Sequence, residues 1–316
     1  MTKVSVIVPI YNGENFLPSF VNHLKEFTFQ DFEVIFVDNN SSDNSLVLLK
    51  TILADCAFNY LILSESKQGA GHARNLGLSV AKGIYVTFID CDDSISNTKL
   101  EEDIKIIEQN EVDFVLCRTQ RIYTDGRTIK HPLPNVEEGI VEPPHLGIIW
   151  ISNFFNLQGT GAILAKTEVI NYLGGFYASK TGEDAFLFIR LGLYGRGFYY
   201  NKVSFFYVRH SNSTISNRNK EKNGVLLSYF NLRKNLYSDE LVMNNVQAIR
   251  ILNKQINSDL FRLHHSGYDV NELIDDERLK DFKLNFLLFN TVSLLINKMI
   301  PHIKYNPFFY VWRRVK

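Results

Sequence analysis

The stretch Thr87-Phe88-Ile89-Asp90-Cys91-Asp92-Asp93 crowds three carboxylates into four positions at the end of an apolar run. Like charges this close are unfavourable unless water, a helix N-terminus or a bound cation offsets them. Asp90 and Asp92, separated by one residue, can share a divalent cation such as Mg2+ or Mn2+. Such an ion prefers oxygen ligands and keeps positions open for water or phosphate. On residue types alone, a second account carries equal weight: Asp93 or Ser94 caps a helix over 96–109 while the other acids stay solvated. A second acidic pair, Glu183-Asp184, follows Gly182 and opens a helical pattern. A carboxylate there can take the proton of an attacking hydroxyl. Alternatively, the pair only answers the positive end of the helix dipole.

Short elements must position these groups. Val4-Ser5-Val6-Ile7-Val8-Pro9 is an apolar, β-branched run expected of a strand buried on both faces. After Asn12-Gly13-Glu14-Asn15, helix-spaced apolar residues run from Phe16 to Phe27. Phe32 to Val37 predicts a second strand ending at Asp38, and Asn39-Asn40-Ser41-Ser42-Asp43 a polar turn capping a helix near 44–54. Tyr60 to Leu63 predicts a strand, Gly71 to Ala81 a helix, and Ile84 to Ile89 a fourth strand that ends at the acidic cluster. Strand–helix alternation predicts an α/β fold, a mostly parallel sheet flanked by helices. Ligands of such sheets bind beyond the C-terminal strand ends, so Tyr11, Asp38 and Asp90 to Asp93 fall on one rim.

Further along, Phe114 to Cys117 and the stretch around Ile122 flank a hairpin turn at Asp125-Gly126. Pro132, Pro134, Pro143 and Pro144 mark a long irregular loop. Helical patterning returns over Glu183 to Leu193, and past Asn219 the chain is largely helical. The 34 basic and 34 acidic residues balance, which argues against a nucleic-acid partner. Three cysteines without metal-ligand spacing, Cys56, Cys91 and Cys117, predict reduced thiols in a cytoplasmic protein. No secretory leader and no bilayer-length apolar run is expected.

The ordered motifs resemble the inverting family-2 glycosyltransferases of the GT-A (Rossmann-like) fold. Val4 to Asn12 is similar to the family's opening strand and nucleotide-binding turn, and Val37 to Asp43 to its second-strand motif. Gly71-His72-Ala73-Arg74-Asn75-Leu76-Gly77 resembles its Ala-Arg-Asn helix, and Asp90-Cys91-Asp92 its Asp-x-Asp metal site. Gly174-Gly175-Phe176 with Gly182-Glu183-Asp184 resembles its acceptor-side motif. Together these cover about residues 3–215.

The resemblance implies transfer of a sugar, UDP-hexose or UDP-N-acetylhexosamine before others, to a hydroxyl of a glycan or lipid-linked acceptor in surface polysaccharide or lipopolysaccharide synthesis. It implies a donor site of Pro9, Tyr11, Asn12, Glu14, Asp38, Asn39, Arg74, Asp90, Cys91 and Asp92. Tyr11 would pack on the base and Asp38 hydrogen-bond it, with Arg74 supporting the nucleotide. Family members often carry Asp where this chain has Asn39. Asp92 and Asp90 would serve Mn2+ or Mg2+, joined by His210, where a strand-end histidine without a ligand carries equal weight; Arg209 beside it could face phosphate. Asp184 would be the general base, and Glu183 would bind acceptor or orient the loop. A sugar nucleotidyltransferase and a non-catalytic nucleotide-sugar-binding module are the rival functions.

Two regions are expected: a catalytic domain over 1–215 and a helical C-terminal region over 216–316. Residues 282–300 carry apolar side chains around a polar stripe of Asn290, Ser293 and Asn297, followed by Phe308, Phe309, Trp312, Arg313 and Arg314. That pattern suits peripheral contact with the inner face of the cell membrane. It suits equally well packing on the catalytic domain or on a second subunit of a homo-oligomer.

Overall fold

The computed structural model describes residues 2–177, 182–209 and 224–269, with Glu272, Leu273, Leu279 and Phe282. The chain divides into two compact units, Met1–Lys220 and Glu221–Lys316. The boundary expected after residue 215 lies outside the described residues, as do His210 and nearly all of the 282–316 tail.

In the first unit, β1 (Val4–Ile10), α1 (Leu17–Lys25), β2 (Phe32–Asp38), α2 (Ser45–Leu53), β3 (Asn59–Ser64), α3 (Ala70–Val80) and β4 (Tyr85–Phe88) alternate. All seven residues of β1 are buried. A strand covered on both faces needs apolar side chains at every position, which is why its sequence does not alternate. The lone hydroxyl in β1 is satisfied: Ser5 Oγ donates to Glu33 at 2.7 Å and accepts from the Gly83 amide at 2.8 Å.

The chain continues through β5 (Ser94–Ile95), α4 (Lys99–Asn110), β6 (Phe114–Tyr123), β7 (Thr128–Lys130), β8 (Gly139–Val141), α5 (His145–Ser152), β9 (Ile163–Lys166), α6 (Thr167–Tyr172), α7 (Glu183–Tyr194) and β10 (Gly197–Arg209). The sheet order is β3-β2-β1-β4-β9-β6-β10-β5, with β7 on β6 and β8 on β10. β3, β2, β1 and β4 are parallel neighbours, and β6 and β10 pair in parallel beyond the antiparallel β9. The carboxyl ends of all six therefore share one edge, and the short β5, β7, β8 and β9 run against them.

Three expectations change. Phe114 to Ile122 is one continuous strand, and the return strand after Asp125-Gly126 is Thr128–Lys130. The proline-marked loop contains β8, held antiparallel on β10. Ser94 does not cap α4, because Ser94–Ile95 is itself a strand paired with Phe205 and Phe206. Asp93 does not cap it either: its Oδ1 accepts the Val208 amide at 2.9 Å.

The second unit holds α8 (Gly224–Leu236), α9 (Glu240–Met243) and α10 (Val246–His265). Asp239 and Asn245 cap the last two, accepting the amides of Val242 at 3.2 Å and Ala248 at 2.9 Å. No helix among the described residues is long and apolar enough to cross a membrane.

Candidate active site

The rim at the carboxyl ends of β1, β2 and β4 gathers most of the residues singled out by type and spacing. Tyr11 leaves β1 with 56% of its surface exposed, so it is not a core aromatic. Pro9 is buried in β1 opposite Val37. Asp38 ends β2 at 7% exposure, and its Oδ1 is buried without a hydrogen-bond partner among the described residues. A carboxylate oxygen left this way is costly, and it marks where a donor group from outside would be welcome.

Neighbouring residues build the walls. Asn12 adopts a positive φ of 51°, and its Oδ1 accepts the Ser42 amide at 2.8 Å, tying the β1 turn to the β2 turn. Glu14 Oε2 accepts the Asn44 amide at 3.0 Å, at the start of α2. A Cβ on Gly13 would come within 2.9 Å of Cys91 Sγ, so the glycine lets the acidic loop lie against this turn. Burial, followed by the charges of Asp92, Asp90 and Asp93, pushes the Cys91 thiol up, and it sits there as a neutral packing group.

Asn39, expected on the donor side, is committed elsewhere. Its amide nitrogen donates to the carbonyls of Glu65 at 3.1 Å and Lys67 at 2.7 Å, and its oxygen accepts the Gly69 amide at 2.7 Å. All three partners belong to the loop leading into α3. A carboxylate could not donate to those carbonyls, which explains an amide at this position.

Asp90, Asp92 and Asp93 each offer an oxygen within 4.8 Å of the others. Burial first, then the charges of Asp92 and Asp90, holds the Asp93 carboxyl well above the usual carboxylate range. An all-oxygen set with two half-buried members fits a hard divalent cation that keeps some of its own ligands.

Arg74, 3% exposed, joins this cluster to the acidic pair of α7. Its Nη2 donates to Asp90 Oδ1 at 2.6 Å and its Nη1 to Glu183 Oε1 at 3.2 Å. The guanidinium also lies 5.2 Å from the Phe176 ring centroid. Asp90 and Glu183 overcome burial and hold its charge firmly on. Glu183 is pushed up by burial and by Asp184, against the pull of Arg74. Asp184 occupies the first turn of α7 beside it.

Two residues inside the motifs make contacts that the motifs did not show. Asn75 clamps Phe176 by its backbone, donating to the carbonyl at 2.7 Å and accepting the amide at 2.8 Å. A Cβ on Gly175, at φ 69°, would meet Asn75 Oδ1 at 2.6 Å. Helix α3 thus fixes the segment carrying the second acidic motif against the first. Asp93, expected on the rim and offered as a helix cap, is the other. Its Val208 bond instead ties the acidic loop to β10. The pairing partners lie 101 and 115 residues apart, where no local pattern reaches.

A family model described as Glycosyl transferase family 2 matches residues 5–167. The chain is 35% identical over 113 residues to glycosyltransferase GlyG of Streptococcus pneumoniae serotype 4 (strain ATCC BAA-334 / TIGR4), which covers 36% of this chain and 38% of GlyG. It thus spans well under half the length of that relative. Residues 1–349 of S. aureus TarS, crystallised with UDP-GlcNAc, match with a TM-score of 0.62 at 21% identity, covering 88% of this chain and 77% of that one. Mannosyltransferase PcManGT of Pyrobaculum calidifontis, in complex with GDP-Man and Mn2+, matches with a TM-score of 0.54 at 16% identity over 95% of this chain and 88% of that one. These likenesses carry the GT-A fold, a central sheet flanked by helices.

Proposed function

The chain belongs to glycosyl transferase family 2, and we propose that it moves a sugar from a UDP donor, UDP-GlcNAc before others, to a hydroxyl of a cell-surface polymer or its lipid-linked precursor. The observation that carries this reading is the Asp90–Arg74–Glu183 bridge, which holds a cation-ready acidic cluster beside a second acidic pair. The UDP-GlcNAc bound in the TarS structure supports the choice of donor.

Tyr11 offers an exposed ring for the base to stack on, and Asp38 Oδ1 accepts its N–H. An ionised carboxylate only accepts, so it favours a base presenting an imide N–H, as uracil does. Asp90, Asp92 and Asp93 would hold Mn2+ or Mg2+, which supplies neutralisation of the charge that grows on a departing diphosphate. Asp184 takes the proton of the acceptor hydroxyl as its oxygen attacks the anomeric carbon. Glu183, held by Arg74, orients that end of α7. Attack opposite the leaving diphosphate in a single displacement inverts the anomeric carbon.

UDP release from UDP-GlcNAc in Mn2+, with and without acceptor, tests the reading. Asp184→Asn is expected to keep donor affinity and to lose about a thousandfold in turnover. Turnover near the wild-type rate would remove Asp184 as the base. Donor binding without UDP release under any acceptor would make the chain a binding module.

A further inference from the structure

Strands β6 and β10 end on the same edge as the acidic loop, and their last residues place two arginines and two tyrosines together. Tyr207 pairs with Arg121 and Arg209 with Tyr123 in the parallel register, so all four project from one face. Both guanidinium carbons lie 6.0 Å from the Tyr207 ring centroid. Neither arginine has a carboxylate partner among the described residues, and Arg121 Nε is buried without any hydrogen-bond acceptor. Beside the Arg121 guanidinium lie the Tyr123 hydroxyl and His131 Nε2, the latter at 3.4 Å, and neither is a counter-charge. Burial above all, with the Arg209 charge adding to it, disfavours the charged form of Arg121.

Two cations beside one ring, neither paired with a carboxylate among the described residues, are an unbalanced arrangement, opposite in sign to the acidic rim that adjoins them. Arg209 lies beside the Tyr207 hydroxyl and Arg121 beside that of Tyr123, and with five N–H donors each guanidinium still has donors left for in-plane oxygens. Two such forks converging from separate strands suit a tetrahedral anion, whose oxygens point in different directions. A planar carboxylate would engage one fork at a time. Place decides which anion. Tyr11 and Asp38, at the ends of β1 and β2, lie on the other half of the sheet from β6 and β10. The Asp93–Val208 bond of 2.9 Å brings the arginine strands up to the acidic loop from the side away from the base.

We propose that Arg121 and Arg209 form a phosphate-binding subsite for the acceptor, which makes the acceptor a phosphate-bearing polyol or glycan. This role rests on the glycosyltransfer reading above and adds to it the chemical class of the second substrate.

Fluorescence anisotropy with the full chain, in UDP and Mn2+, compares a labelled oligo(glycerol phosphate) with a labelled glucose oligomer of equal length. The wild type is expected to bind the phosphate oligomer more tightly and to lose that advantage in high salt. Arg121→Gln and Arg209→Gln should each weaken phosphate-oligomer binding about tenfold. Arg209→Lys, which keeps the charge, should recover part of the loss. UDP-GlcNAc affinity of the same variants, read by calorimetry, is expected to stay unchanged. Melting curves accompany each variant, and Arg209, at the strand end, carries the test if Arg121→Gln fails to fold. Equal binding of both oligomers by the wild type, or unchanged affinity in the variants, overturns the subsite. Loss of UDP-GlcNAc affinity in the variants also overturns it, by assigning the arginines to the donor diphosphate. A wild type that binds no UDP-GlcNAc sinks the function reading instead, while the oligomer comparison still decides the subsite.

Discussion

Two charge clusters in the Met1–Lys220 unit, one buried and one at the rim, are built on opposite plans. Lys99 and Asp103, one helical turn apart in α4, pair with both side chains at 0% exposure. Asp103 also accepts the Tyr200 hydroxyl at 2.8 Å. That cluster is closed, with its charge balanced from within. The rim cluster is open: Asp90, Asp92 and Asp93 crowd together while Arg74 is shared between Asp90 and Glu183. A closed cluster can serve only the fold. An open one is costly until a ligand completes it, and such costs concentrate where proteins act on other molecules.

The contrast breaks most visibly at Lys99. Lys99→Met leaves a buried carboxylate unpaired and should lower the free energy of unfolding by about 3–5 kcal/mol in denaturant titrations. The kcat/KM of the folded fraction should not change. A loss of donor turnover per folded molecule would show the core cluster to be coupled to the rim.

Another buried group sharpens the contrast by a different solution, neutrality. His131 is 2% exposed, and burial, then the Arg121 charge opposing the imidazolium, pushes its pKa down to about 4. Between about pH 6.5 and 4 the unfolded chain takes up a proton that the folded chain refuses, so stability falls with acidification by up to about 3 kcal/mol. His131→Gln should flatten that part of the stability–pH curve. An unchanged slope would mean that the folded protein accommodates the imidazolium.

The smallest effect carries the opposite sign. Asp93→Asn removes one repelled charge and keeps an oxygen for the Val208 amide, so the metal-free protein should gain about 1 kcal/mol while losing affinity for Mn2+. A net loss of stability would show the rim to be balanced already from inside.

The all-parallel half of the sheet was readable in advance because β1, β2 and β4 are buried and show as apolar runs, and even the exposed edge strand β3 keeps a short one. The positions of Tyr11, Asp38 and Asp90 to Asp92 followed, since strand–helix alternation puts such residues on one edge. The other half resisted. β5 has two residues and β8 three, too few to show any period. The reversal at β9 between β4 and β6 depends on pairing across distant segments. Site residues divided the same way: Asp38 was legible as a strand end, whereas the commitment of Asn39 to the Glu65–Gly69 loop depends on a fold-level meeting of loops. Arg74 was visible as a residue of interest, but its two acidic partners came only from the packing of α3 between them.

Calorimetric titration of UDP-GlcNAc into wild type and Asp92→Ala, each in Mn2+ and in EDTA, bears most directly on a rim built to be completed by a cation. The wild type should bind the donor tightly only with Mn2+, and Asp92→Ala should bind it equally weakly in both. Donor affinity indifferent to metal in the wild type, or a full Mn2+ response surviving in Asp92→Ala, would contradict the account.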